Sequence, residues 1–370
     1  EKKTRIKSTG KSFVMNNFFK SLDWKLNFSV LFLMAASLIS LISSRPDLFW
    51  KQLSFWLVGF ILILLIVKFD WRPYVNYRGV VFGLYFLVIL LLIATYFFAP
   101  NIKGNRAWLV FGSFNFQIAE FGKLVLIIFF AYFFSRKRLG IGKISTVVGS
   151  FVYFLIPGFL VALQPDFGSA LVLFCLWFGF LLVSGVKYRH LVVSLIIFCI
   201  LGAIMWQSVL KDYQKDRILG FFFPGRDPLG INYSVIQSKI AIGSAGLLGK
   251  CFGQGTQVQL GFLPEASTDF IFATLVEEWG WLTGFILILV FGSLILRIIK
   301  IGLESDNNFN RFVCLGTVIL FSAQFIFNVG SSLGLTPVIG ITFPFFSYGG
   351  SSLLTNLILL GIIQAVFVRR

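Results

Sequence analysis

The sequence predicts an all-α integral membrane protein. It has about ten transmembrane helices, both termini cytoplasmic, and a long extracytoplasmic loop between helices 7 and 8. Three observations predict this. Of 370 residues, 57% are hydrophobic and 13% charged, against about 45–50% and about 25% in soluble domains. The apolar residues gather into stretches of the roughly 20 residues that a hydrocarbon core requires. The 32 Lys and Arg outnumber the 15 Asp and Glu, for a net charge of +17. In so apolar a chain that excess marks cytoplasmic loops rather than a nucleic-acid partner. An ordinary soluble enzyme, a disordered tail and a nucleic-acid-binding module are all excluded.

The elements follow in order. Residues 1–25 form a basic tail in which Lys2, Lys3, Arg5, Lys7 and Lys11 precede no apolar run. That reads as a cytoplasmic tail and not a signal peptide. Residues 26–370 form a single ten-helix membrane domain. Its first span, near 26–43, closes at Arg45-Pro46-Asp47, and spans near 49–67 and 79–98 follow. The fourth, 118–134, carries Glu120 and Lys123 near its outer end, and the fifth is 144–163. Gln164-Pro165-Asp166 separates the fifth from the sixth, 168–185; the seventh, 190–209, opens at its inner end on His190. After the outer loop 210–269 comes 270–296, where Glu277 and Glu278 are expected somewhat deeper in the span as packing or polar-network residues. The last two spans, 310–334 and 349–367, are separated by Gly and Pro, which predicts a broken or re-entrant stretch satisfied by protein or a polar cavity.

With the N-terminus inside, 21 of the 32 cations fall on inner segments, ten on outer ones, and Lys123 within a span. Six of the outer ten lie in the long loop, at a length where the positive-inside rule weakens.

Several chemistries drop out. Cys175, Cys199, Cys251 and Cys314 show no C-x-x-C spacing, and His190 is the single histidine, so zinc sites and a Ser-His-Asp relay are unsupported. Gly243–Lys250 fails as a phosphate loop, with Ser244 and Cys251 where Gly and Ser or Thr belong. No D-x-D pair is present to hold a nucleotide-sugar complex.

Acidic residues favour the outer face, and two outer segments, 99–123 and 210–270, hold most of its polar chemistry. The second is rich in Gly, Phe and mixed charge, which favours an ordered functional surface. Glu120 and Lys123 are i, i+3 neighbours. They read either as a structural pair or, with Arg106, as cations and counter-charge for an anionic lipid headgroup. Arg106 beside Trp108 also fits an interfacial anchor. Ser267 and Thr268 look like helix caps, and Asp269 sits at the mouth of the eighth span. Asp269 either favours the helix N-terminus electrostatically or, with no histidine on that face, supplies a general base.

The segments QPDFGSALVL (164–173), FGQGTQVQLGFLPEASTDFIFATLVEEWG (252–280) and TPVIGITFPFFSYGGSSLL (336–354) resemble the SEDS family (shape, elongation, division and sporulation). The GQGTQ and PEASTDFIFA runs look like its RodA rather than its FtsW type. The resemblance implies a peptidoglycan glycosyltransferase that polymerises lipid II on the outer side of the bacterial cytoplasmic membrane. Its implied partners are a class B penicillin-binding protein transpeptidase and other elongation-complex membrane proteins. The family's key carboxylate maps onto Asp269, and its other polar positions onto Arg106, Trp108, Glu120, Lys123, Gln164 and Asp166. Departures are Ser267 and Ser234 where relatives often carry His, QIAEFGK where QPSEFAK is common, and Ala245 and Cys251 for expected glycines.

The implied reaction needs a base for the attacking sugar hydroxyl and cations for the departing diphosphate. Asp269 is the expected base, or it holds metal and acceptor in place. Arg106 and Lys123 are expected to bind diphosphate, oriented by Glu120 and Asp166, with Arg217 and Lys239 for a second diphosphate. No cofactor is assigned; a divalent cation, Mg or Mn, would serve the same charge, with no ligands named. Alternatives are a flippase of the lipid-linked precursor, a division or sporulation paralogue, or a silent scaffold for the transpeptidase.

Overall fold

A computed structural model describes residues 21–71, 74–75, 77–100, 105–112, 114–137, 144–208, 210, 212–223, 227–230 and 232–369. Most of the basic tail lies outside them. Ten apolar helices follow in order: α1 (Trp24–Ser44), α2 (Pro46–Lys68), α3 (Arg78–Phe98), α4 (Ile118–Ser135), α5 (Ile144–Leu163), α6 (Phe167–Val183), α7 (Tyr188–Ser208), then α11 (Ile271–Leu303), α12 (Asn308–Leu333) and α13 (Gly350–Val368). Among the described residues nine are long and apolar enough to cross a membrane, and α6, at 17 residues, is the shorter tenth. Between α7 and α11 the outer loop folds into α8 (Asp212–Phe222), α9 (Tyr233–Ser244) and the single turn α10 (Thr256–Gln259).

Local chemistry sets the helix ends. Asp23 accepts from the Leu26 amide at the start of α1, Asp166 from that of Ser169 before α6, and Asn307 from that of Phe309 before α12. Each satisfies an amide that the first turn leaves unpaired. Pro46 opens α2, where its missing N–H costs nothing. In the packing, α4 and α13 are the most enclosed helices, whereas α7 is almost wholly exposed. Helices α2 and α13 approach closely because they meet at glycines. A Cβ on Gly59 would lie 2.1 Å from the Leu357 Cδ1, and one on Gly361 would lie 3.2 Å from the Ile63 Cα.

Contacts sort the molecule into two ends. At one, Arg297 Nε donates to Asp23 Oδ2 at 2.5 Å, and the Gln364 amide bonds to Asp23 and Asn27. Arg369 reaches the Val67 carbonyl there. At the opposite end, Ser43 meets Glu278, Gln52 donates to the Ser347 carbonyl, and Gln117 donates to Asp166. The alternation matches the sides on which the sequence sorts its cations.

Three features differ from expectation. In a chain expected to be all-α, residues 108–117 form an antiparallel ribbon of β1 (Trp108–Phe111) and β2 (Phe114–Gln117), pairing Trp108 with Gln117 and Leu109 with Phe116. Runs of β-forming residues about a left-handed Gly112 drive it.

Second, the eighth span does not begin at 270. The helix breaks at Gly280 (φ 81°, ψ 173°). The Val276 and Phe272 side chains come within 2.7 and 3.5 Å of a Cβ on Gly284. A continuous helix would separate residues 272 and 284 by about 18 Å. Residues 271–279 therefore double back on the membrane-crossing part and form a buried layer at the outer end. Glu277 and Glu278 belong to that layer and not deeper in the span.

Third, no side chain caps α11. Thr268 Oγ1 instead bonds to Glu265 Oε2 at 3.1 Å, and Ser267 is buried.

Candidate functional site

The site is built on the outer end of α12, the non-helical stretch 334–349 and the turn before α11. Asp269 lies on that turn, half-buried, with its Oδ2 3.9 Å from where a Gly340 Cβ would stand. Asn328 Nδ2 donates to three carbonyls: Ile341 at 2.8 Å, Asp269 at 3.2 Å and Thr268 at 3.4 Å. Ser347 Oγ donates to the Thr268 carbonyl at 2.7 Å, and the Tyr348 amide to that of Ser267 at 3.0 Å. The turn is thus clamped through its backbone.

Beside it, Arg217 on α8 and Lys239 on α9 line one cleft of about 110 Å³, closed by Thr336, Pro337 and Val338. The structure brings these two sequence-predicted cations together. Gly334 makes Lys239's position available. It is left-handed (φ 70°), and its Cβ would meet Lys239 Cε at 2.2 Å and Nζ at 2.5 Å. Gly340, against Asp269, lies two residues beyond the cleft-lining Val338, so one stretch of backbone borders both.

The remaining predicted residues fall elsewhere. Lys123 Nζ pairs with Glu120 Oε1 at 2.7 Å, and the side chains are only 2% and 7% exposed. The pair is enclosed in α4, so the Lys123 ammonium is neutralised beneath the surface and not displayed on it. Arg106 is exposed at the base of the ribbon, and Trp108 is half-buried within it. Gln164 is buried and donates to the Leu92 carbonyl and Thr95 Oγ1, both at 2.8 Å, which ties the α5–α6 turn to α3. Asp166 accepts from Gln117 Nε2 at 2.6 Å. The Gln117 backbone amide in turn donates to the Oγ of Ser351 on α13 at 3.0 Å. Asp166 therefore orients the ribbon rather than Arg106 or Lys123.

Two residues carry more of the site than the sequence signals. Glu277, expected in a polar network, anchors the loop 250–258: it pairs with Lys250 and accepts the Gln257 and Val258 amides. Asn328 was not singled out, because one amide in an apolar helix belongs to no motif. Its signal is a polar side chain on the buried face of a span. At the rim, Arg45 forms a two-toothed pair with Asp47, both contacts 2.9 Å. Burial pushes the Tyr348 hydroxyl above its usual range and the Asp47 carboxylate adds to this, while Arg45 opposes it. Among the described residues no group of three or more His, Cys, Asp or Glu could hold a metal ion.

Apolar helices long enough to span a membrane, with a polar, cationic cleft at one end, define a multi-pass membrane protein. Comparison narrows the class. The FtsW/RodA/SpoVE family model, described as "Cell cycle protein", matches residues 16–370, and the chain belongs to that family. The Escherichia coli K12 peptidoglycan glycosyltransferase MrdB is 35% identical over 84% of this chain and 83% of its own. The Bacillus subtilis stage V sporulation protein E is also 35% identical, over 85% and 86%. A probable FtsW from Thiomicrospira cyclica is 32% identical over 94% and 92%. Among solved structures, a chain described under "Structural coordination of polymerization and crosslinking by a peptidoglycan synthase complex" superposes with a TM-score of 0.80 at 32% identity, covering 94% of this chain and 97% of that one. Thermus thermophilus RodA gives 0.70 at 27%, covering 94% and 96%.

Proposed function

We propose that this chain is a peptidoglycan glycosyltransferase of the RodA type, polymerising lipid II at the outer face of the bacterial cytoplasmic membrane beside a class B transpeptidase. The enzyme class is that of its curated relatives. A transpeptidase partner is supported by a structural relative that belongs to a synthase complex coordinating polymerization and crosslinking. Identity does not separate the RodA, FtsW and sporulation types, so the RodA assignment rests on the GQGTQ and PEASTDFIFA runs.

One observation carries the mechanism: the Asp269 carboxylate borders the same backbone stretch that walls the Arg217–Lys239 cleft. The acceptor sugar's hydroxyl attacks the donor's anomeric carbon, Asp269 takes its proton, and the bond to the polyprenyl diphosphate breaks. The leaving diphosphate keeps the electron pair. Arg217 and Lys239 neutralise its charge, and Arg106 offers a cation on the ribbon side. Such a leaving group needs no strong acid, so one carboxylate suffices.

The test is Asp269→Asn and Asp269→Ala in purified protein supplied with labelled lipid II and its transpeptidase. Glycan synthesis should vanish while thermal stability stays. Retained polymer in a well-folded variant would sink the assignment, and translocation of lipid II without polymerisation in liposomes would favour a flippase.

A further inference from the structure

We infer that Asn328 is a positioning residue for this reaction, acting through the backbone of Asp269. The inference rests on the reading of Asp269 as the base. Asn328 is 1% exposed, on a span where an amide without partners would be costly. Its Nδ2 is shared among the carbonyls of Thr268, Asp269 and Ile341. The first two belong to the turn that carries the base. The third belongs to the segment that lies against the Asp269 carboxylate and, a few residues earlier, walls the cation cleft.

One side chain therefore fixes the distance between the group that takes the proton and the groups that receive the leaving charge. Ser347 is a second peg on the same turn. It donates to the Thr268 carbonyl while accepting the Phe343 amide at 2.9 Å. Neither residue's hydrogen bonds reach into the cleft, so losing either one moves the base without removing a substrate contact.

That geometry predicts a split between rate and binding, because misplacing a reacting group by about 1 Å costs on the order of 100-fold in rate. The experiment compares Asn328→Ala, Asn328→Asp, Ser347→Ala and Asp269→Asn in the full chain with its transpeptidase, using labelled lipid II. Asn328→Asp is close in size but turns a donor into an acceptor facing three carbonyls. Both Asn328 variants should lower kcat by roughly 10- to 100-fold with KM changed less than about threefold. Ser347→Ala should lower kcat by roughly three- to tenfold, again with KM held, and it keeps the test open if the Asn328 variants fold poorly.

Wild-type kcat in folded Asn328→Ala and Ser347→Ala, with Asp269→Asn inactive, overturns the positioning role alone. A raised KM at unchanged kcat does the same. An active Asp269→Asn overturns the base assignment and this inference together.

Discussion

Lys250 Nζ stands 2.9 Å from Glu277 Oε1, and that carboxylate, fully buried, also receives the amides of Gln257 and Val258. One acid therefore holds the loop before Asp269 at four points, the fourth being Thr256 Oγ1 at 3.3 Å. Glu277→Ala removes every one of these bonds. Breaking a buried pair from one side costs about 3–5 kcal/mol, and Lys250, 24% exposed, can recover some hydration. We expect a loss of about 3 kcal/mol in thermal melts in detergent, with faster proteolysis between residues 250 and 258.

Gly280→Ala should be more damaging still. The added Cβ would lie 2.2 Å from the Leu247 carbonyl oxygen and 2.5 Å from the Gly249 amide, at a φ of 81°. Both obstacles are backbone, so relief requires the doubled-back layer to separate. A cost of about 3 kcal/mol or more is expected, seen as poor yield of monodisperse protein. Wild-type yield and melting temperature would contradict the fold-back.

Gly334→Ala tests the cleft. The left-handed conformation alone costs an alanine roughly 1–2 kcal/mol, and the methyl displaces the Lys239 ammonium. A hydrogen bond to a charged group is worth about 1.5–3 kcal/mol. The KM for lipid II should therefore rise by roughly tenfold or more, with Lys239→Ala giving a similar rise. An unchanged KM in both would remove Lys239 from the diphosphate site.

Asp23→Ala provides the contrast at the far end. It deletes the Arg297 pair and the α1 cap. Stability should fall by about 3 kcal/mol, while KM and kcat, set at the other end of the bundle, stay within about twofold.

Much of this is written in the sequence. Ten apolar stretches and the polar interruptions between them place the helices, because nothing else satisfies backbone amides in lipid. The i, i+3 spacing of Glu120 and Lys123 gives their pairing, but not their depth, which the helices packed around α4, chiefly α12 and α3, impose. Gly280 is hard to read because glycine is common inside transmembrane helices. Its backbone angles and the fold-back of Phe272 and Val276 onto Gly284 reveal it as a break. The ribbon at 108–117 does carry a signal, aromatic and β-branched runs on either side of Gly112 and Ser113, which an all-helix expectation passes over. Asn328 belongs to no motif, and a lone polar residue in a span does not say what it binds: its meaning lies in three carbonyls from segments 59, 60 and 13 residues away.

The bonds between Asp23 and Gln364 join positions 341 residues apart. A ribosome making this chain places the first helix in the membrane long before its partner exists. That helix cannot finish its contacts at this end until α13 has been made. Chains cut short within α13 should therefore accumulate as inserted but unlocked bundles, open to quality-control proteases.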